Sequence, residues 1–145
     1  QNNLNSIVMS ILSTTKVGKF AIIYKWLEEE LNLNGAYVSV SSDGGIRVNG
    51  NVNLLGYPNA ELPKYIQFEE IKGNFLCSYS KLESTKGFPH IVTQAFDCSF
   101  SQLSSLNGMP QKVGGNFICK GTPFTEEEIK NKVNVNGEIW LMKKH

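Results

Sequence analysis

The sequence predicts an α+β fold in a single domain, in which an N-terminal helical cap is followed by a short parallel β solenoid with repeats of about 21 residues. Cys77, Cys98 and Cys119 are each 21 residues apart, and each follows a Phe by two positions. Residues 16–31 instead carry apolar residues at the 3.6-residue spacing of a helix. A fixed period of roughly 20 to 30 residues is typical of solenoids, whose units bury their apolar edges by stacking on copies of themselves.

The helical cap is predicted over residues 1–33. Thr15 can serve as the N-cap of its main helix. The predicted buried face of that helix consists of Phe20, Ile23, Leu27 and Leu31. A shorter helix is predicted before it, with the apolar residues Leu4, Ile7, Val8 and Leu12. Asn34 and Gly35 are predicted to end the main helix, and residues 37–40 to form a strand that enters the sheet.

Three copies of the repeat are predicted within residues 71–124, beginning at Ile71, Val92 and Val113. The first two copies are identical at eight of 21 positions. In each copy, Phe and Cys alternate with other residues as in a strand, and a return anchor follows a turn. The predicted anchors are Leu82, Leu103 and Phe124.

The segments on either side resemble worn copies. Residues 34–70 are predicted to form degenerate first rungs, because the triplet 50–52 (GNV) echoes the triplet 73–75 (GNF). Residues 125–145 are predicted to form a closing cap, with a short helix that begins at a capping box of Thr125 and Glu128. One or two strands over 133–141 then close the stack, which gives five or six rungs in total.

The phrase F-x-C-S-x-S-x-L-x-S followed by G-x-P resembles the leucine-rich-repeat framework, with Ser80, Ser101 and Thr122 where Asn usually stands. It looks most like the short "FxCSxNxLTSLxGxP" repeats of uncharacterised proteins from large tailed bacteriophages and giant viruses. The resemblance covers roughly residues 45–141 and is best over 71–112. It implies a viral protein in the host-cell cytoplasm that binds a host protein, for example a defence protein, and inhibits or modifies it.

Catalytic and cofactor-binding motifs are missing from the sequence. His90 lies in a turn and His145 is the last residue, so neither is placed beside a cysteine by a repeat strand. The cysteines lie at core positions and form no closely spaced zinc-binding pair, which favours buried, reduced thiols in the cytoplasm. We therefore expect no enzymatic activity, no catalytic residue, no metal and no cofactor. No apolar run is long enough to cross a bilayer, so no membrane association is expected either.

Nucleic-acid binding is the alternative function. The formal net charge is only +1, and Arg47 is the single arginine among 14 basic residues, which makes this class of partner less favoured. Lys16, Lys19 and Lys25 on the cap helix are the candidate basic surface. A small nucleic-acid-associated regulator that uses these lysines, or a structural component of a virion, remains an alternative.

Protein binding is the leading hypothesis, and strand alternation locates the contact surface. If the Phe and Cys positions face inward, the residues between them face outward. The predicted partner-binding residues are Leu76, Asp97, Ile118, Lys120 and Trp140, together with Tyr79 and Phe100 at a shared outward turn position. The same alternation predicts that Ser99 faces outward. The tyrosine and phenylalanine could stack on each other or anchor a partner. The sequence thus predicts a non-catalytic protein-interaction module, and it predicts no particular oligomeric state.

Overall fold

The computed structural model describes residues 6–8, 15–31, 33 and 36–142. Its helices with named bounds are α1 (Lys16–Glu30) and α2 (Glu126–Lys132). Its strands are β1 (Tyr37–Val40), β2 (Gly45–Asn49), β3 (Val52–Asn53), β4 (Gln67–Lys72), β5 (Phe75–Leu76), β6 (Ile91–Val92), β7 (Phe96–Asp97), β8 (Lys112–Val113), β9 (Phe117–Ile118), β10 (Asn134–Val135) and β11 (Ile139–Trp140). The predicted α+β fold, a helix followed by a parallel β solenoid, is confirmed.

The strands form two sheets within the described ranges. A six-stranded sheet has the order β1-β2-β4-β6-β8-β10, with β1 antiparallel to β2 and the other neighbours parallel. A five-stranded sheet has the order β11-β9-β7-β5-β3 and is parallel throughout. Each of five rungs gives one strand to each sheet, and successive rungs pair at spacings of 23, 21, 21 and 22 residues. The sequence prediction of one strand per clear repeat was therefore incomplete, because each repeat contains two short strands.

The core between the sheets consists of columns of identical or similar side chains. Phe75, Phe96 and Phe117 are fully buried on successive rungs, and their rings stack at centroid distances of 5.8 and 5.0 Å. A second column, on the six-stranded sheet, contains Val48, Ile71, Val92 and Val113. Burial of these columns removes apolar surface from water along the whole stack and is the main stabilising contribution.

The return limbs close the core on its third side. The predicted anchors Leu82, Leu103 and Phe124 are all buried. In the fourth rung the return limb contains α2, whose Ile129 is fully buried. The capping box at its start is confirmed, because the Thr125 side chain accepts from the Glu128 N–H and the Glu128 side chain accepts from the Thr125 N–H.

The cap helix α1 begins as predicted, with the Thr15 hydroxyl accepting a hydrogen bond from the Gly18 N–H at 2.9 Å. Its buried face differs from the predicted one. Ile22 and Trp26 are buried beside the predicted Ile23, Leu27 and Leu31, whereas Phe20 is only half-buried. The physical reason is that the face is selected by contact with the first rungs, where the Trp26 ring lies 6.4 Å from the rings of Tyr57 and Phe68.

The shorter N-terminal helix is described only in part. Residues 6–8 are helical, and Ile7 and Val8 are exposed. The predictions for Leu4 and Leu12, and for Asn34 and Gly35 as the end of the main helix, lie outside the described residues.

An asparagine ladder runs along the corner where each rung passes from one sheet to the other. The Asn51 Oδ1 accepts from the Asn74 N–H, and the Asn74 Oδ1 accepts from the Ala95 N–H, both at 2.8 Å. The Asn116 Oδ1 accepts from the Glu138 N–H at 2.9 Å. Ala95 has no side-chain acceptor, so it interrupts the ladder in the third rung.

The hydroxyl residues at the turn do not form such a ladder. Ser80 is buried, and its Oγ has no hydrogen-bond partner among the described residues. The Ser101 Oγ accepts from the Leu103 N–H at 3.4 Å, and the Thr122 Oγ1 donates to the Cys119 carbonyl oxygen at 2.6 Å. Contacts between rungs made by side-chain amides therefore occur at the corner and not at this turn.

Filling the gap in the asparagine ladder should stabilise the protein. In an Ala95→Asn variant, the new Oδ1 can accept from the backbone of the fourth rung as the other asparagines do, and we expect a gain of about 1 kcal/mol in the free energy of unfolding. Thermal melting should show a rise of roughly 2–4 °C. An Asn74→Ala variant is the matched control and should melt lower, because it leaves the Ala95 N–H without its acceptor. An Ala95→Asn variant that melts at or below the wild-type temperature would contradict this account of the ladder.

Candidate functional site

The predicted outward residues form one continuous row on the five-stranded sheet. Leu76 pairs with Asp97, Asp97 with Ile118, and Ile118 with Trp140, so the four side chains occupy the same position on successive rungs. Leu76, Asp97 and Ile118 are half-buried, and Trp140 is 40% exposed. We call these four residues the outer strip. Their alignment confirms the predicted register, including the expectation that the last strand carries Trp140 into the row.

Asp97, the single charge in the outer strip, is held in place by the backbone beyond it. Its Oδ1 accepts a hydrogen bond from the Ser99 N–H at 2.9 Å. The prediction that Ser99 itself is exposed was wrong, since it is only 5% exposed. The reason is that its Oγ turns along the solenoid and accepts from the Lys120 N–H at 3.0 Å. The carboxylate is thus pre-positioned at the middle of the strip.

Trp140 at the end of the strip is oriented by two polar neighbours. The Lys120 ammonium lies 5.6 Å from the centroid of the indole ring, within cation–π distance. The indole Nε1 donates to the Glu138 Oε2 at 3.4 Å. The structure thus brings Lys120, also a predicted site residue, to the tryptophan.

Tyr79 and Phe100 lie at the turn that follows the outer strip on its two central rungs. Their rings stack with centroids 5.0 Å apart and an angle of 20° between the planes, which confirms the predicted stacking. Both residues have positive φ values, 56° and 55°, a conformation that bulky side chains rarely adopt. Both remain exposed, by 64% for the tyrosine and 38% for the phenylalanine.

The three thiols are enclosed in the core, as predicted. Cys77, Cys98 and Cys119 are each 0% exposed and free of disulfides. Burial raises the pKa of the Cys77 and Cys98 thiols well above the ordinary value, and it raises the pKa of Cys119 to about 11 against an opposing hydrogen bond from Thr122. A thiol that is protonated and shielded from water is a poor nucleophile and a poor metal ligand.

Other chemistry was sought across the described ranges. His90 is exposed, and its N–H and carbonyl oxygen both bond to neighbouring backbone. Within these ranges no cluster of three or more His, Cys, Asp or Glu residues could hold a metal ion. In the same ranges, no helix combines the length and the apolar character needed to cross a bilayer.

A second candidate site is a cleft of about 640 Å³ between the N-terminal half of α1 and the first rungs. It is lined by Lys16, Lys19, Phe20, Ile23, Ser42, Asp43, Gly44, Lys64, Tyr65 and Gln67. Two of the three predicted basic residues line it, whereas Lys25 does not. Within the described residues, no salt bridge engages the three lining lysines.

One carboxylate opposes these lysines. Hydrogen bonds from the Ser41 hydroxyl and the Gly45 N–H hold the pKa of Asp43 below its ordinary value, so it is anionic at neutral pH. Burial, reinforced by Tyr57, Glu29 and Glu30, raises the pKa of Tyr65, so that its hydroxyl stays protonated. The cleft thus combines cations with one fixed anion and aromatic surface.

Two contributors to these sites were missed by the sequence analysis. Lys64 joins the cleft through tertiary packing, for which the repeat pattern gives no signal. Gly56 occupies the same turn position as Tyr79, one rung earlier, and the 23-residue echo between triplets 50–52 and 73–75 could have located it.

Comparisons with protein-family models, with curated proteins and with solved structures find no match to this chain. The function is therefore argued from the geometry of the candidate sites.

The buried thiols predict a loss of stability at alkaline pH. A cysteine thiol ordinarily ionises near pH 9.0, whereas folded Cys119 keeps its proton to about 11. Above pH 9.0 the unfolded chain binds fewer protons than the folded one, so the free energy of unfolding falls as the pH rises toward about 11. Urea midpoints should show this fall in the wild type, and a smaller fall in a Cys119→Ala variant. Equal losses in the two proteins would contradict the assignment.

Proposed function

We propose that this chain is a non-catalytic protein-interaction module whose contact surface is the outer strip together with Lys120, Tyr79 and Phe100. The observation that carries the proposal is the unbroken row of outward side chains on four successive rungs, in which apolar residues surround a single carboxylate. Partly exposed apolar side chains around a fixed charge are typical of protein contact surfaces.

The rigidity of the surface supports this function. The strands that carry the strip are bonded to the neighbouring rungs, for example from the Cys77 N–H to the Asp97 carbonyl oxygen at 2.7 Å and from the Cys98 N–H to the Ile118 carbonyl oxygen at 2.9 Å. A surface ordered in advance loses little conformational entropy on binding, which favours affinity. The likeness of the repeats to viral proteins supports a partner from the host cell.

The charge at the centre of the strip is the most direct test. An Asp97→Asn variant keeps an acceptor for the Ser99 N–H but removes the charge, and an Asp97→Lys variant reverses it. Immobilised wild-type protein should capture a partner from host lysate that the Asn variant retains weakly and the Lys variant loses, because a reversed charge at an interface centre costs several kcal/mol. The melting temperature should change little between wild type and the Asn variant, since a partly exposed charge contributes little to folding.

A matched control lies on the other sheet. Ile91 faces outward on the six-stranded sheet and is 36% exposed, so Ile91→Glu should leave capture unchanged whereas Ile118→Glu on the strip should abolish it. If the captured partner is indifferent to both strip variants, the outer strip is not the contact surface.

The lysine-lined cleft supports a second candidate function, the binding of nucleic acid. The three lysines without salt bridges in the described residues favour it, and Asp43 at the same cleft opposes it. Retention on immobilised DNA and RNA should then fall steeply with salt and be lost in a Lys16→Glu, Lys19→Glu double variant. The protein-binding proposal expects no retention at physiological salt. Salt-sensitive retention together with indifference to the strip variants would favour this second function.

A further inference from the structure

The turn that carries the exposed aromatic pair forms a column of four residues with left-handed backbone. Gly56, Tyr79, Phe100 and Gly121 occupy equivalent positions on successive rungs, with φ values of 70°, 56°, 55° and 71°. Backbone hydrogen bonds keep them in register, since the Tyr79 N–H donates to the Ser99 carbonyl oxygen and the Phe100 N–H to that of Lys120. Glycine adopts this conformation without strain, whereas an aromatic residue does not. The two rings are therefore unexplained by the needs of the backbone.

The two ends of the ring stack differ. At one end the Phe100 ring covers Gly121 so closely that a Cβ there would lie 2.5 Å from the Phe100 Cδ1. At the other end a Cβ on Gly56 would meet nothing within 4 Å. The ring of Tyr79 is accordingly more exposed than that of Phe100, at 64% against 38%. One face of the stack is covered by the fold, and the opposite face, on the Gly56 side, is open.

We propose that this open face binds an aromatic side chain of the protein partner, inserted as a third ring on Tyr79. The inference rests on the proposed protein-binding function and names the chemistry that the partner must present. We call the site the aromatic shelf, and it consists of the Tyr79 ring, the Gly56 backbone and the exposed Leu55 side chain. Adjacent rungs lie about 4.8 Å apart, which places a ring above Gly56 at the distance preferred by offset-stacked aromatic pairs.

The polar groups of the shelf indicate why the occupant is an aromatic side chain and not a sugar. The Gly56 N–H already donates to the Ser78 carbonyl oxygen, and the Leu55 N–H donates to the Asn53 Oδ1. The Tyr57 N–H likewise donates to the Leu54 carbonyl oxygen. With these donors engaged and an aliphatic side chain at its edge, the shelf offers apolar contact and a ring face. A nucleobase would stack equally well, but the low net charge gives its phosphates little attraction.

The test uses N-acetyl-tryptophanamide as a probe in an NMR titration of the whole chain. The probe should shift the Gly56 amide resonance by its ring current in the wild type and in a Tyr79→Phe variant. A Tyr79→Asn variant should bind the probe at least ~10-fold more weakly, because one stacked ring is lost. Asparagine tolerates the left-handed conformation, so this variant should remain folded, and its melting curve checks that it does.

Cellobiose and adenosine monophosphate are the competing probes. If either one shifts the Gly56 amide at lower concentration than the tryptophan probe, the shelf has a different occupant and the proposal is overturned. It is also overturned if the tryptophan probe leaves Gly56 unshifted, or if it binds the wild type and the Tyr79→Asn variant equally.

The outer strip allows this failure to be separated from failure of the proposed function. An Ile118→Glu variant should retain the response of Gly56 to the probe, because the strip and the shelf are different parts of the surface. A captured partner that is lost on Ile118→Glu but binds Tyr79→Asn as tightly as wild type would overturn the shelf and leave protein binding standing. A probe response without any partner that depends on the strip would do the reverse.

Discussion

The parallel backbone hydrogen bonding between rungs is the constraint on which the rest of the structure depends. It holds each position of one rung directly beside the same position of the next, as where Phe75 pairs with Phe96 and Phe96 with Phe117. A residue type at one position of the repeat therefore becomes a column in space. Inward columns of Phe, Val and Cys form the core, and outward columns form the surface. A substitution at one site is felt by the neighbouring rungs before it is felt anywhere else.

This constraint explains why so much of the fold could be predicted from sequence. Period-two alternation around the Phe and Cys residues was enough to place Leu76, Asp97 and Ile118 in one outward row, and the 22-residue step from Gly115 to Gly137 extended the row to Trp140. The backbone confirms that step, since the Gly137 N–H donates to the Gly115 carbonyl oxygen at 3.0 Å. Repetition thus replaced the long-range information that a single sequence usually lacks.

The features that were missed are those in which side chains act along the stack or elements meet by tertiary contact. Ser99 is buried because its hydroxyl bonds to the next rung, and alternation alone assigns it to the surface. The asparagine ladder depends in the same way on a side-chain amide that reaches the backbone of the following rung. The face of α1 that contains Trp26 was decided by the rings of Tyr57 and Phe68, since helical periodicity fits more than one buried face.

The turn column shows how one repeat position can serve the backbone in some rungs and the surface in others. Left-handed geometry is needed in all four rungs, and glycine meets it at both ends of the column without strain. Tyrosine and phenylalanine in the central rungs each cost of the order of 1–3 kcal/mol in backbone strain, a large share of a stability that is usually about 5–15 kcal/mol. Their mutual stacking recovers only about 0.5–1.5 kcal/mol, and both rings remain partly in water. Folding alone therefore does not account for aromatic residues at these two positions, whereas contact with a partner, which would bury the exposed ring surface, does.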